Sequence, residues 1–156
     1  MSALLDRRLV IRPLEARDVD AVLAIQSSSP EMAHWTIWDY NRVAAGEMAG
    51  WVAEEKGEIA GFLVARQIGG DVEILNVAVA PDVRRHGVGS ALFEAAIGWA
   101  KSLGAERAFL EVRQSNHAAI QFYERYNFRA TGHRPRYYTS PVEDALVLAL
   151  HLTRKP

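Results

Sequence analysis

The chain has 156 residues, 49% of them hydrophobic and 24% charged, with a formal net charge of -1 at pH 7. Such a composition excludes a disordered chain, and the length fits one domain, expected over residues 1–156, with enough apolar surface for a core. There is no cysteine, which excludes disulfides, thiolate metal sites and a cysteine nucleophile together. In chain order, Leu9-Val10-Ile11 predicts a first strand, stopped by Pro13. Leu14, Val19, Val22, Leu23 and Ile25 follow at helical spacing as far as Ser27-Ser28-Ser29-Pro30. A second helix is expected from about Tyr40 to Met48. Trp51–Glu54 and Ile59–Gln67 flank a turn at residues 55–58 and predict an antiparallel hairpin.

Gly69-Gly70-Asp71 then turns into a strand, Val72–Ala80, ended by Pro81. Val88, Ala91, Leu92, Ala95, Trp99 and Leu103 mark one face of a helix from about Gly87 to Ser102, closed by Gly104. Arg107–Val112 is a strand. A helix bearing Ala119, Phe122, Tyr123 and Tyr126 starts near Ser115 or Asn116, either of which can cap it. Phe128–Arg134 and Asp144–Leu152 are strands bracketing a loop, Pro135–Pro141. The order β-α-α-β-β-β-α-β-α-β-β predicts an α/β (mixed α+β) protein with a mixed sheet and helices on both faces.

Chemistry concentrates in Asn76–Ser90, NVAVAPDVRRHGVGS, between a strand and a helix. Gly87 and Gly89 let the backbone bend tightly at a helix start, where N–H groups and the helix dipole attract anions. Arg84 and Arg85 add full charges, and together these features describe a phosphate or pyrophosphate site. The plain alternative is a glycine-softened helix start with solvated arginines. GxxxxGK[ST] is absent, which excludes a P-loop. A dinucleotide fingerprint over Gly87–Leu92 would place Leu92 where a small residue is needed, although Glu111 could stand in for its ribose-binding acid. The histidines (His34, His86, His117, His133, His151) are too scattered for a short ligand pair, so no metal is expected.

The second informative stretch runs from Leu110 to Phe128. Glu111 points opposite to Leu110 and Val112 on its strand. A carboxylate there is costly unless it faces a cleft or is paired, and Arg113 or Arg129 could pair with it. Tyr123 lies on the apolar stripe of its helix, as a core tyrosine does. The two matter to function only if both point into one cleft.

Arg84-Arg85-His86-Gly87-Val88-Gly89 matches the R/Q-x-x-G-x-G/A signature of the GNAT superfamily of acetyltransferases. With Asn76-Val77-Ala78-Val79, Leu110–Asn116, Tyr123 and the tail Tyr137-Tyr138 to Leu148, the chain resembles a narrower group. These are the bacterial RimI-type enzymes, which acetylate the N-terminal amine of a ribosomal protein. The motif match covers residues 72–150; the first 70 residues match in element order. Asn127 stands where the group usually has glycine, and asparagine tolerates the left-handed conformation next best.

The resemblance implies a GNAT fold with a central mixed seven-stranded sheet and acetyl-CoA as co-substrate. It implies that Val77, Ala78 and Val79 pair with the pantetheine arm, and that Asn116 contacts it too. The loop of Arg84, Arg85, His86, Gly87, Val88, Gly89 and Ser90 would hold the pyrophosphate. Glu111 would be the general base, acting through water, and Tyr123 the acid. Glu73 is the reserve base. No GxSxG elbow is present, so direct attack of an amine on the thioester is expected. Residues 1–80 carry 7 Lys and Arg against 12 Asp and Glu, and residues 81–156 carry 11 against 7. The acidic half suits a cationic amine and the basic half the CoA phosphates.

The expected acceptor is a protein or peptide N-terminus, a ribosomal protein being the model case. The alternatives are a GNAT enzyme acting on a small-molecule amine or a lysine, and a non-catalytic acetyl-CoA sensor. Nucleic acid and membrane are not expected partners: net charge favours neither, and no apolar run nears 18 residues. The N-terminus lacks a signal peptide's apolar centre, so a cytoplasmic location is expected. Trp35, Trp38 and Tyr40 line the acceptor slot or pack in the core, and Tyr137 and Tyr138 pose the same choice.

Overall fold

The structure, a computed structural model, describes residues 9–29, 35–83 and 87–152. Strand β1 (Leu9–Pro13) is followed by α1 (Val19–Ser27), α2 (Ile37–Ala44), β2 (Ala49–Glu55), β3 (Glu58–Ile68) and β4 (Asp71–Val79). Then come α3 (Val88–Ser102), β5 (Arg107–Arg113), α4 (His117–Arg125), β6 (Arg129–Thr139) and β7 (Val142–His151). This is the order that the apolar spacing and the breakers predict. The strands form one seven-stranded sheet in the order β1-β2-β3-β4-β5-β7-β6. β1–β2, β2–β3, β5–β7 and β6–β7 pair antiparallel and β4–β5 parallel, so the sheet is mixed.

Two compact units share the chain: described residues up to Arg66 with Leu75–Trp99, and Gln67–Ile74 with residues from Ala100 on. In the first, β3 is buried without interruption from Ala60 to Ala65, as a central strand should be. Adjacent residues of β2 show how its two faces are covered. A Cβ on Gly50 would lie 2.4 Å from Val43 Cγ1, so α2 packs directly on that backbone. Trp51 points the other way and meets Trp99 of α3, ring centroids 5.4 Å apart. Helices therefore cover both faces. Under α1 and α2 lies a core of Leu14, Val19, Val22, Ile25, Tyr40, Val43, Val52, Phe62 and Val64.

Helix α2 starts three residues before the expected Tyr40. Thr36 Oγ1 accepts from the Asp39 N–H at 3.3 Å, and Asp39 Oδ2 accepts from the Thr36 N–H at 2.8 Å. This reciprocal cap opens the helix at Ile37.

In the second unit, β5 pairs with β7 along its whole length, and Asp71–Glu73 of β4 pairs with Arg107–Phe109. Asn116 rather than Ser115 caps α4, its Oδ1 accepting from the Ala119 N–H at 3.2 Å. Asn127 has φ +69°, the left-handed conformation expected of it. The expected loop Pro135–Pro141 is instead mostly strand, since β6 runs on to Thr139. β6 is an edge strand, where a proline removes no ladder bond. Register shifts between Ala130 and Gly132 and between Arg134 and Tyr138 absorb the irregularity.

Candidate active site

In the first unit, α3 begins at Val88 behind Gly87, whose φ of +81° favours glycine. The Ala91 N–H donates to the Gly87 carbonyl at 3.0 Å, the first bond of the helical ladder. The N–H groups of Val88, Gly89 and Ser90 thus receive no acceptor from their own helix. Three such donors at the positive end of a helix dipole suit a phosphate. Arg84, Arg85 and His86, the remainder of the expected loop, lie outside the described residues. Val77 and Val79 are half-buried at the end of β4, and Ala78 between them is buried.

In the second unit, alternation along β5 puts Phe109, Glu111 and Arg113 on one face. Glu73 pairs with Phe109, so both carboxylates, Glu73 and Glu111, share that face. Glu111 is 11% exposed at its side chain, and Oε1 accepts from Arg134 Nη1 at 3.0 Å. Neither of the cations expected beside it, Arg113 and Arg129, holds this place. The sheet order sets β7 between β5 and β6 and brings Arg134 there. Glu111 Oε2 is buried and accepts no hydrogen bond of good geometry.

Tyr123 is buried at 7% exposure, its ring centroid 5.3 Å from Phe122 and 5.9 Å from Phe128. Burial, and then the neighbouring Tyr138, push its hydroxyl above the ordinary tyrosine pKa. Tyr138 is pushed up to about 12, by burial first and then by Tyr137 and Glu111. Tyr137 is raised by burial, then by the Glu111 charge and a hydrogen bond with that carboxylate, against the opposing charge of Arg134, with Glu73 adding to it. Tyr138 thus lies near both Glu111 and Tyr123, and Tyr137 near both carboxylates. The sequence left these two tyrosines open between slot and packing; because β6 extends past Pro135, they stand beside Glu111.

Arg113 holds the turn that carries them. Nη1 donates to the Pro141 carbonyl at 3.1 Å and to Glu143 Oε1 at 3.2 Å, and Nη2 donates to the Ser140 carbonyl at 3.3 Å. Glu143 Oε2 accepts from the Ser115 N–H at 2.6 Å. Hydrogen bonds from Ser115 and then Arg113 hold the Glu143 carboxyl below the usual range, against burial.

Tyr40 belongs to the core rather than to an acceptor slot. It is fully buried, donates its hydroxyl proton to Gln26 and accepts from Asn76 Nδ2 at 3.3 Å. Trp35 packs on its ring at 5.4 Å, whereas Trp38 is 75% exposed. Among the described residues no group of three or more His, Asp or Glu could hold a metal ion, and no helix is long and apolar enough to cross a membrane.

The Acetyltransferase (GNAT) family model matches residues 17–128. The chain belongs to the GNAT family. It is an acetyl-CoA-dependent N-acetyltransferase. It is 32% identical over 148 residues to the [ribosomal protein bS18]-alanine N-acetyltransferase of Escherichia coli, covering 92% of this chain and 97% of that one. The crystal structure of the ribosomal-protein alanine N-acetyltransferase from Escherichia coli superposes with a TM-score of 0.79 at 30% identity, covering 96% of this GNAT chain and 97% of the other. That of Ard1 from Thermoplasma volcanium gives 0.83 at 29% identity, covering 94% and 99%.

Proposed function

We propose that this GNAT enzyme acetylates the N-terminal α-amine of a protein, with Glu111 as general base and Tyr123 as general acid. The observation that carries the reading is the Glu111 carboxylate: one oxygen is held by a guanidinium, and the other is buried and accepts no hydrogen bond of good geometry, although the Tyr137 hydroxyl lies close by. A buried acceptor left unpaired is costly, and such groups persist where a ligand or a proton completes them. The likeness to enzymes named for the alanine terminus of ribosomal protein bS18 supports a ribosomal protein as acceptor.

Acetyl-CoA supplies the acetyl thioester. The N–H groups of Val88, Gly89 and Ser90 behind Gly87, with Arg84, Arg85 and His86, would hold its pyrophosphate. The backbone of Val77, Ala78 and Val79 would hold its pantetheine arm. The cap of α4 occupies the Asn116 carbonyl oxygen, so the amide nitrogen is the group that Asn116 would offer to that arm. Glu111 takes a proton from the attacking amine through water. Tyr123, kept protonated by burial, gives a proton to the departing thiolate.

An α-amine has a pKa of about 7.7–8.0, against about 10.4 for lysine. At pH 7.5 roughly a quarter or more of the first is neutral, but only about one part in a thousand of the second. A water-relayed carboxylate suits the first. An alanine-starting peptide is therefore acetylated faster than its N-terminally blocked twin carrying an internal lysine, as read by mass. Equal rates rule out selectivity for the terminus. Inactivity on both, alongside turnover of a polyamine, makes a small amine the acceptor.

A further inference from the structure

Arg134 is the one cation seen bonded to Glu111 among the described residues, and it arrives from two strands away. Glu111 of β5 pairs with Val147 of β7, which pairs with Gly132 of β6; the next row is Arg113, Ala145 and Arg134. To reach Glu111, Arg134 must span two strand spacings, about 9–10 Å. It does so in a row whose middle member, Ala145, offers only a methyl group. The guanidinium is anchored a second time, 5.1 Å from the Tyr137 ring centroid. Arg113 cannot substitute, because Ser140, Pro141 and Glu143 already engage it.

We infer that Arg134 is a positioning residue for the acetyl transfer: by fixing Glu111 Oε1, it sets the carboxylate plane and aims the buried Oε2 as the proton-accepting oxygen. The inference rests on Glu111 being the base. It accounts for an ion pair whose two ends differ so much in exposure, 56% for the Arg134 side chain and 11% for that of Glu111. An exposed arginine adds little stability through such a pair, but misplacing a reacting group by about 1 Å can cost on the order of 100-fold in rate.

The test is a double-mutant cycle on kcat with Arg134→Ala, Glu111→Gln and both together, plus Arg134→Lys. Arg134→Ala is expected to lower kcat by up to about 100-fold and to leave KM for acetyl-CoA unchanged. In the Glu111→Gln background the same substitution should cost nothing further. Arg134→Lys, which restores a cation of shorter reach, should recover part of the loss. An equal loss in both backgrounds overturns the inference and makes Arg134 a direct contact of the acceptor. An unchanged kcat in Arg134→Ala overturns it as well. Full activity in Glu111→Gln alone instead overturns the base assignment, and this inference with it.

Discussion

Arg113 and Tyr138 are stacked: the guanidinium carbon lies 4.3 Å from the centroid of the tyrosine ring. The same guanidinium bonds the carbonyls of Ser140 and Pro141 and the Glu143 carboxylate, so one side chain fixes both the tyrosine and the turn beyond it. Arg113→Ala removes a partly desolvated cation–π contact and three hydrogen bonds, to the exposed Ser140 and Pro141 carbonyls and the half-buried Glu143 carboxylate. A destabilisation of about 1–2 kcal/mol is expected in urea unfolding, since water can replace the lost donor at the exposed carbonyls. A loss below about 0.5 kcal/mol would mean that the turn is held by its backbone alone.

Glu111→Gln keeps the shape of the side chain and removes the base. Turnover should fall by about 10²–10⁴-fold while acetyl-CoA affinity, measured by calorimetry, stays near that of the parent. Tyr123→Phe should behave in the same way. If Glu111→Gln lowers the melting temperature but spares turnover, Glu111 is a structural partner of Arg134, and Glu73 on the same face becomes the base to test.

Gly89→Asp places a side chain and a negative charge in the first turn of α3, beside N–H groups that the helix leaves without acceptors. Acetyl-CoA binding should weaken by up to about 30-fold, given that charge–dipole effects there reach up to about 2 kcal/mol. Calorimetric titration decides it: unchanged affinity moves the pyrophosphate elsewhere, and tighter binding of NAD than of CoA revives the dinucleotide reading.

Asp18 is 3% exposed and takes a two-pronged grip from Arg12, at 2.8 and 2.9 Å. Burial, the largest single influence, would raise its pKa, but the hydrogen bonds from Arg12 and the Glu15 N–H together with the charges of Arg12 and Arg17 outweigh it, and the net shift is downward. A carboxylate depressed in the folded state stabilises above its unfolded pKa of about 3.9, and that contribution is lost as pH falls through the lower folded value. Thermal melts from pH 7 to 2 should therefore show a steeper acid loss for the parent than for Asp18→Asn. At neutral pH, removing one partner of a buried pair costs about 3–5 kcal/mol. Glu54, 3.2 Å from Arg12, keeps Asp18→Ala toward the lower end. Parallel acid profiles would show that Asp18 does not report the folded state.

Local signals carried most of the fold. Residues 55–58 mark the hairpin turn, Gly104 closes α3, and Asn127 adopts the left-handed conformation that its position demands. Misplaced boundaries came from two short-range chemistries: the reciprocal cap of Thr36 and Asp39, and a proline tolerated because its strand lies at an edge. Of the candidate site, the helix start behind Gly87 was legible because its motif is contiguous. Arg134 was not. Its partnership with Glu111 depends on β7, which follows β6 in the chain, lying between β5 and β6 in the sheet, and no spacing in sequence encodes that order. Tyr137 and Tyr138 were hidden for the same reason, since a loop and an irregular edge strand read alike from Pro135 and Pro141.

That irregular edge has a bearing on self-association. An open strand edge is a template onto which another chain can add, and flat, regular edges invite fibril growth. The outer rim of β6 offers a poor template: Pro135 lacks a donor, two register shifts break the repeat, and Arg129 and Arg136 add like charges on exposed residues. Arg136, with φ +53°, even gives its N–H back to Asp144 at 2.9 Å. The residues that carry the tyrosines to Glu111 thus also guard the end of the sheet. Smoothing β6 with valines at 135 and 136, which spares Arg134 and Glu111, should make the chain prone to amyloid-like assembly, read by thioflavin fluorescence; no gain over the parent would mean that the edge is guarded elsewhere.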